Sequence, residues 1–206
     1  MIKNSFSKGE TVVLFDMDGT LTPARKKLSK IMQSTLRVVS TQAKIGVVTG
    51  SPFNYVKQQL SDLWTSNFGI DPERLIIMPC NGTQVYEWNK SAREYSRTYF
   101  TDLKDFLSKE FKSTSVGKDA YTCIVKDILE LQLDFLEKYS IADISGNFVS
   151  YRDSLVNWSM IGRDADQELR NKFEILDKDY SVREKLRETL RVRLDTSGLG
   201  AIESVL

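Results

Sequence analysis

The sequence predicts an α/β protein, with a parallel-sheet core and an inserted α+β domain. Three short apolar runs alternate with two stretches of helical periodicity, the order expected of parallel strands joined by right-handed helical crossovers. The runs cover residues 12–15, 44–48 and 75–79. From Gln84 the order becomes strand, helix, helix, hairpin and helix, which is typical of an α+β unit. We therefore predict a core over residues 1–84 and an inserted domain over residues 85–206.

Composition excludes several classes of protein. The chain has 206 residues, with 29 Lys and Arg against 28 Asp and Glu, so no overall charge attracts nucleic acid or a membrane surface. No apolar run approaches the roughly 20 residues of a membrane span, and residues 1–10 lack the apolar segment of a signal peptide. Cys80 and Cys123 lie in apolar surroundings without paired spacing, which indicates reduced, buried thiols. We predict a cytoplasmic protein.

The chain contains no histidine. This excludes Ser-His-Asp and Cys-His catalysis, a phosphohistidine intermediate and zinc sites that use imidazole. Proton transfer must therefore use carboxylates, Lys, Tyr or water.

The first strand carries the strongest functional signal. Val12 to Phe15 form an unbroken apolar run, which predicts a strand buried on both faces, and the run ends in Asp16 and Asp18. Ligands bind at the carboxyl ends of strands in open α/β sheets, and alternate residues of an extended segment point the same way. Both carboxylates can thus converge on one reacting group. The alternative is a type I turn whose acids are solvated or cap the next helix.

The residues after these acids add further donors. Gly19 allows a sharp turn and close approach to a ligand, and the Thr20 hydroxyl is free to bind an anion.

The second strand is also followed by polar residues, Thr49, Gly50 and Ser51. Ser51 followed by Pro52 predicts a helix start, because Ser accepts from exposed amides and Pro fits the first turn. A strand that ends in Thr beside a helix N-terminus is a candidate anion site. The alternative is a helix cap with no further role.

Periodicity and turn signals predict the remaining elements. They are a helix over 28–39 capped by Ser29, a helix after Pro52, a turn at 80–82, helices over 101–111 and 121–139, a hairpin within 147–161 that turns at Asp153 and Ser154, a charged helical region over 164–194 with a break near 177–181, and a strand over 201–206.

Three arginines of the second region stand out. Arg152 lies at the predicted hairpin tip, Arg163 at a helix entrance and Arg170 two turns further along the same helix face. Together they offer forked donors for phosphate oxygens. The residues alone favour ordinary surface ion pairs with acids such as Asp153 and Asp166.

A family resemblance brings these motifs together. The string DMDGTLT resembles the first motif of the haloacid dehalogenase (HAD) superfamily. The segment FVSYRDSLVNWSMIGRDADQELR, with the later EILDKD, resembles the C2b-type cap of eukaryotic-type phosphomannomutases, and the NG of PCNGTQVY resembles the entry into that cap. The resemblance covers nearly the whole chain.

The resemblance implies interconversion of mannose 6-phosphate and mannose 1-phosphate through a hexose bisphosphate and an aspartyl phosphate. It implies that Asp16 is the nucleophile, that Asp18 is the acid and base, and that both hold Mg²⁺. It implies a homodimer through the cap. The implied substrate-binding residues are Thr20, Arg25, Thr49, Gly50, Ser51, Arg152, Arg163 and Arg170. The family usually has Gly-Gly-Ser at residues 49–51, so either Thr49 or Ser51 holds the phosphate.

The resemblance also implies missing parts. The family's third-motif lysine, its fourth-motif acids, and a serine and an aspartate that contact substrate would follow Leu206. We hypothesise a truncated or incompletely recorded chain, which would leave an unpaired apolar sheet edge. A sugar-phosphate phosphatase of the same superfamily and a non-catalytic binding or dimerising fragment are the alternatives. The sequence does not distinguish mannose from glucose phosphates.

Overall fold

The computed structural model describes residues 11–23, 26–67, 69–111, 120–139, 144–200 and 202. The chain forms two compact units, Met1–Thr101 and Asp102–Leu206. In the described part, no helix is long and apolar enough to cross a membrane.

Unit 1 is an α/β layer built on a five-stranded sheet in the order β1-β2-β3-β4-β5. Strands β1 to β3 are parallel, and β4 and β5 continue the sheet antiparallel. The strands are β1 (Val12–Asp16), β2 (Lys44–Val48), β3 (Leu75–Met78), β4 (Gln84–Asn89) and β5 (Glu94–Phe100), and the helices are α1 (Lys30–Ser40), α2 (Phe53–Leu60) and α3 (Asp62–Thr65).

The predicted strand and helix order of unit 1 is confirmed. Helix α1 begins where Ser29 accepts a hydrogen bond from the Met32 amide at 3.2 Å, as its cap position predicts. The central strands bury their alternate residues Ile45, Val47 and Ile77 completely, which makes the sheet a rigid base for the loops at its carboxyl edge.

Two features of unit 1 differ from the sequence prediction. Strand β1 is an edge strand in the described sheet, with Leu14 61% exposed, so it is not buried on both faces. An apolar run alone does not reveal whether other elements cover both faces of a strand. The core also extends beyond residue 84 to Thr101, because β4 and β5 pair with β3 and with each other.

In its described residues, unit 2 is an α+β unit of four helices and one hairpin. The elements are α4 (Leu103–Glu110), α5 (Ala120–Tyr139), β6 (Val149–Tyr151), β7 (Val156–Trp158), α6 (Gln167–Tyr180) and α7 (Val182–Thr196). The predicted break between α6 and α7 occurs at Ser181, whose φ is 49°. Its amide donates to the Asp177 carbonyl at 2.7 Å. The predicted strand over 201–206 lies outside the described residues except for Ile202.

A buried polar bridge ties α5 to the hairpin. Trp158 Nε1 donates to Gln132 Oε1 at 2.7 Å, and Gln132 Nε2 donates to the Met160 carbonyl at 2.9 Å. Gln132 is 4% exposed, so satisfying both ends of its amide fixes the hairpin against the helix.

Candidate functional site

The end of β1 and the loop after it hold the two predicted carboxylates on either side of a buried residue. Met17 is completely buried, whereas Asp16 is exposed and Asp18 is partly exposed. The Met17 carbonyl accepts from the amides of Leu21 and Thr22, both at 3.0 Å. The loop is thus folded around Met17, and the acids remain outside the core.

The same loop turns at Gly19, whose φ of 87° suits glycine, and Thr20 beyond it is exposed. Thr22 is 2% exposed and donates its hydroxyl to Gln59 Oε1 at 3.0 Å. This support from α2 could not be predicted from the sequence, because no local pattern links residues 22 and 59.

The loop after β2 separates the roles of its two hydroxyls. Thr49 is 3% exposed, and its Oγ1 accepts the Ser51 amide at 3.1 Å. The Ser51 hydroxyl donates to Asp18 Oδ2 at 3.4 Å. Ser51 therefore faces the acidic loop, while Thr49 shapes its own turn.

Ser51 does not cap α2, contrary to the prediction. Helix α2 begins at Phe53 with Pro52 in the cap position, and no side chain makes a capping hydrogen bond there. The physical reason is position, because Pro52 takes the cap position and Ser51 lies one residue before it.

The loop after β3 completes this edge of the sheet. The Asn81 amide donates to the Thr49 carbonyl at 2.8 Å, and the Cys80 amide donates to the Ser51 carbonyl at 3.2 Å. The tips of β1, β2 and β3 thus carry one connected group of loops. The sequence predicted residues 80–82 as a turn and, by resemblance, as the entry into the cap, and the local signal was the Asn-Gly pair.

The carboxylate groups at this edge are suitable ligands for Mg²⁺. Asp16 and Asp18 offer hard carboxylate oxygens, and Mg²⁺ in phosphoryl-transfer sites takes one or two carboxylates together with substrate phosphate and water. Among the described residues, no group of three or more His, Cys, Asp or Glu could hold a metal ion. The carboxylate oxygens at this edge thus fit the ligand preference of Mg²⁺.

In unit 2, Arg152 lies in the hairpin turn as predicted. Its amide donates to the Leu155 carbonyl at 2.9 Å, and its carbonyl accepts the Ser154 amide at 2.6 Å. Asp153 has a φ of 58° at the tip, a conformation that Asp tolerates better than most residues. The backbone of the turn is thereby fixed around Arg152.

The hairpin is fastened to the start of unit 2. The Tyr151 hydroxyl donates to Asp102 Oδ2 at 3.0 Å, and the Leu103 amide donates to the Asp153 carbonyl at 2.9 Å. Lys104 Nζ lies 4.7 Å from the centre of the Tyr151 ring. Partial burial, together with the bond to Asp102, raises the pKa of Tyr151 to about 12.

Arg170 folds back onto the segment that carries Arg163. Its Nη2 donates to the Arg163 carbonyl at 2.7 Å, and its Nε donates to the Ala165 carbonyl at 2.9 Å. The preceding Gly162 has a φ of 87°, and a Cβ there would collide with the Ser145 carbonyl. These contacts explain the Ile-Gly-Arg triplet and bring Arg163 and Arg170 together. Arg25 lies outside the described residues.

The comparisons with known proteins agree with the sequence motifs. The family model of eukaryotic phosphomannomutase matches residues 32–202. The chain is 32% identical over 193 residues to a phosphomannomutase of Saccharomyces cerevisiae, covering 93% of this chain and 66% of the yeast protein. It is 31% identical over 192 residues to a phosphomannomutase of Encephalitozoon cuniculi, covering 92% of this chain and 64% of that protein. The chain thus spans about two thirds of the length of these curated relatives.

One solved structure supports the fold. An IMP-nucleotidase of Plasmodium falciparum matches with a TM-score of 0.57 and 14% identity, over 96% of this chain and 50% of that one. At this identity the likeness concerns the fold alone.

Proposed function

Because the chain belongs to the eukaryotic phosphomannomutase family and has the α/β fold of the HAD superfamily, we propose that it transfers a phosphoryl group between the 6- and 1-positions of a hexose phosphate, mannose phosphate by family. One observation carries this proposal. Two carboxylates flank the buried Met17 at the carboxyl end of β1, and a hydroxyl from the next loop contacts the second of them.

In the proposed reaction, the exposed Asp16 carboxylate attacks phosphorus, and the bond from phosphorus to the sugar oxygen breaks. Asp18 gives a proton to that leaving oxygen. It later takes a proton from the hydroxyl that accepts the phosphoryl group from Asp16. When the acceptor is a hexose monophosphate, this second transfer forms a hexose bisphosphate, which must reverse its orientation before Asp16 takes the phosphoryl group back from the other position.

Other residues of unit 1 would bind the phosphoryl group. The Ser51 hydroxyl is best positioned because it faces Asp18, while Thr20 is exposed on the same acidic loop. Thr49 and Gly50 would shape the loop that presents Ser51. Mg²⁺ would be held by the Asp16 carboxylate and the backbone carbonyl of Asp18, which leaves the Asp18 carboxyl for proton transfer, and when bound it neutralises negative charge on the phosphoryl group.

The arginines of unit 2 would bind the phosphate that is remote from Asp16. We propose that Arg152 and Arg163 contact this phosphate directly and that Arg25 of unit 1 is a further contact. Arg170 also uses two guanidinium nitrogens on backbone carbonyls, so we assign it the additional role of holding the Arg163 segment.

We also propose a homodimer through unit 2. Leu129 and Leu133 lie one turn apart on α5 and are 49% and 61% exposed. Sedimentation of the unaltered chain against a Leu133→Glu variant tests this, since a charge at that position should shift a dimer toward monomer. A monomeric unaltered chain would contradict it.

The activity test follows both ends of the sugar. The full chain is incubated with mannose 1-phosphate, a catalytic amount of hexose bisphosphate and Mg²⁺, and products are followed by phosphorus NMR. The proposal predicts mannose 6-phosphate. Release of inorganic phosphate without mannose 6-phosphate would identify a phosphatase, and binding without turnover would identify a non-catalytic fragment. Arg163→Ala should reduce mutase turnover far more than hydrolysis of a small phosphate ester.

A further inference from the structure

The turn after β3 has an unusual backbone. Cys80, Asn81 and Gly82 follow one another with φ values of 52°, 57° and 81°. Left-handed conformations are uncommon for residues other than glycine, and two consecutive examples indicate strain that surrounding contacts must hold in place. Here the amides of Cys80 and Asn81 donate to the carbonyls of Ser51 and Thr49. The strained turn is thus locked to the loop that presents the Ser51 hydroxyl.

The backbone does not require the Asn81 side chain. Glycine adopts this φ with less strain, and both locking hydrogen bonds come from main-chain amides. What asparagine adds is a carboxamide. That group is exposed and makes no hydrogen bond to any other described residue.

The carboxamide is directed toward the candidate site. Its oxygen lies 3.3 Å from the position that a Cβ on Gly50 would occupy, so it lies against the loop after β2. On the other side of Gly50, the Ser51 hydroxyl reaches Asp18. Asp18, Ser51, Gly50 and Asn81 therefore follow one another along the carboxyl edge of β1, β2 and β3.

Spacing and chemistry decide what Asn81 can bind. Neighbouring strands lie about 4.8 Å apart, so the tip of β3 is roughly 10 Å from the tip of β1. At this distance Asn81 cannot reach the phosphoryl group on Asp16, but it can reach the sugar to which that phosphoryl group is attached. A neutral carboxamide both donates and accepts hydrogen bonds, as a sugar hydroxyl does, whereas phosphate oxygens mainly accept.

We propose that the Asn81 carboxamide binds a ring hydroxyl of the sugar whose phosphoryl group is held at Asp16, and so contributes to recognition of the sugar. The inference rests on the proposed function, because it takes a phosphorylated sugar as the ligand. It assigns to the β3 loop a binding role that is separate from phosphoryl transfer.

Binding measurements on the full chain test this assignment. Calorimetric titrations with mannose 1-phosphate and with inorganic phosphate, both with Mg²⁺, compare the unaltered chain with Asn81→Gly, which keeps the left-handed turn and removes only the carboxamide. We expect the variant to bind mannose 1-phosphate about 3- to 10-fold more weakly, as for one lost hydrogen bond, and inorganic phosphate unchanged. Deoxy derivatives of mannose 1-phosphate identify the partner, since the effect of Asn81→Gly should vanish for the sugar that lacks the bonded hydroxyl.

The outcomes separate this inference from the proposed function. If the unaltered chain binds mannose 1-phosphate and Asn81→Gly binds it equally well, the inference is wrong and the proposed function stands. An equal loss of affinity for mannose 1-phosphate and for inorganic phosphate would also overturn the inference, because the Asn81 side chain would then bind phosphate or support the loop structure. If sugar recognition depends on Asn81 but no mannose 6-phosphate forms, the inference stands and the mutase proposal fails. A chain that binds neither ligand would overturn both.

Discussion

The acidic loop of unit 1 (residues 16–22) and the arginine segment of unit 2 (residues 163–170) differ in how side chains and backbone support each other. Asp16 is exposed, and main-chain hydrogen bonds to the buried Met17 shape the loop around it. Arg170 is partly buried, and its own guanidinium shapes the main chain around Arg163. In the first region the backbone positions the functional groups, and in the second a candidate functional group positions the backbone. Residues that look alike in a motif can therefore differ in how far their loss would affect folding.

Asp16→Asn tests this comparison most strongly, because it should affect activity without affecting stability. The carboxylate is exposed, so the account predicts loss of phosphoryl transfer on the order of 10³-fold or more with no change in the free energy of unfolding. Turnover and urea denaturation measure the two quantities. Glu94→Gln, an exposed acid on β5, is the matched control and should change neither. A large loss of stability in Asp16→Asn would mean that the acid is structural.

Met17→Ala probes the buried part of the same motif. Met17 is 0% exposed, and truncation of a buried methionine costs about 2–5 kcal/mol of unfolding free energy. Urea denaturation followed by circular dichroism measures this. A change below about 1 kcal/mol would show that the loop does not depend on its buried residue, and the contrast with Asp16 would fail.

Within unit 2, the variants Arg170→Ala and Arg163→Ala are compared for stability and for sugar-phosphate binding. Arg170→Ala removes two hydrogen bonds from a charged group to carbonyls and should cost about 1.5–3 kcal/mol of unfolding free energy. Arg163→Ala keeps the carbonyl that Arg170 binds and should weaken sugar-phosphate binding at least as much. Arg170→Lys should not restore stability, because lysine lacks the forked donors. An unchanged free energy of unfolding in Arg170→Ala would contradict the structural role of Arg170.

The smallest expected effect concerns pH at the start of unit 2. The hydrogen bond from the Asp105 amide, with a smaller contribution from the Tyr151 hydroxyl, holds the pKa of Asp102 below its ordinary value. A lowered pKa stabilises the folded state above the unfolded value of about 3.9, and this stabilisation is lost as pH falls through the folded-state pKa.

Asp102→Asn isolates that contribution. Asparagine still caps α4 but does not titrate, so the stability difference between the two chains should shrink below about pH 4 and stay constant above it. Denaturation midpoints across the acid range measure it. A difference that is independent of pH would contradict the assignment.

Local rules explain how much could be predicted from the sequence. The position of Asp16 at the tip of β1 follows from the apolar run before it, and the Ser29 cap and the break near Ser181 follow from residue preferences within a few positions. The exposure of Leu14 and the two added antiparallel strands depend on which elements pack over and pair with each strand. Periodicity does not encode this information.

Long-range contacts explain the rest of the candidate site. Ser51 follows the rules for a cap, yet it donates to Asp18 from a different loop. Thr22 with Gln59, and Tyr151 with Asp102, meet only after folding. The different roles of Arg163 and Arg170 likewise depend on where carbonyl groups lie, and sequence spacing contains no such information.

The central claim is that Asp16 carries the phosphoryl group during the reaction. The most direct measurement is peptide mass spectrometry after acid quenching of the full chain with a hexose bisphosphate and Mg²⁺, beside Asp16→Asn. The account predicts one added phosphoryl group on the peptide that contains Asp16, localised to that residue and absent in the variant. A phosphoryl group on Asp18 or on a hydroxyl residue, or turnover that persists in Asp16→Asn, would contradict it.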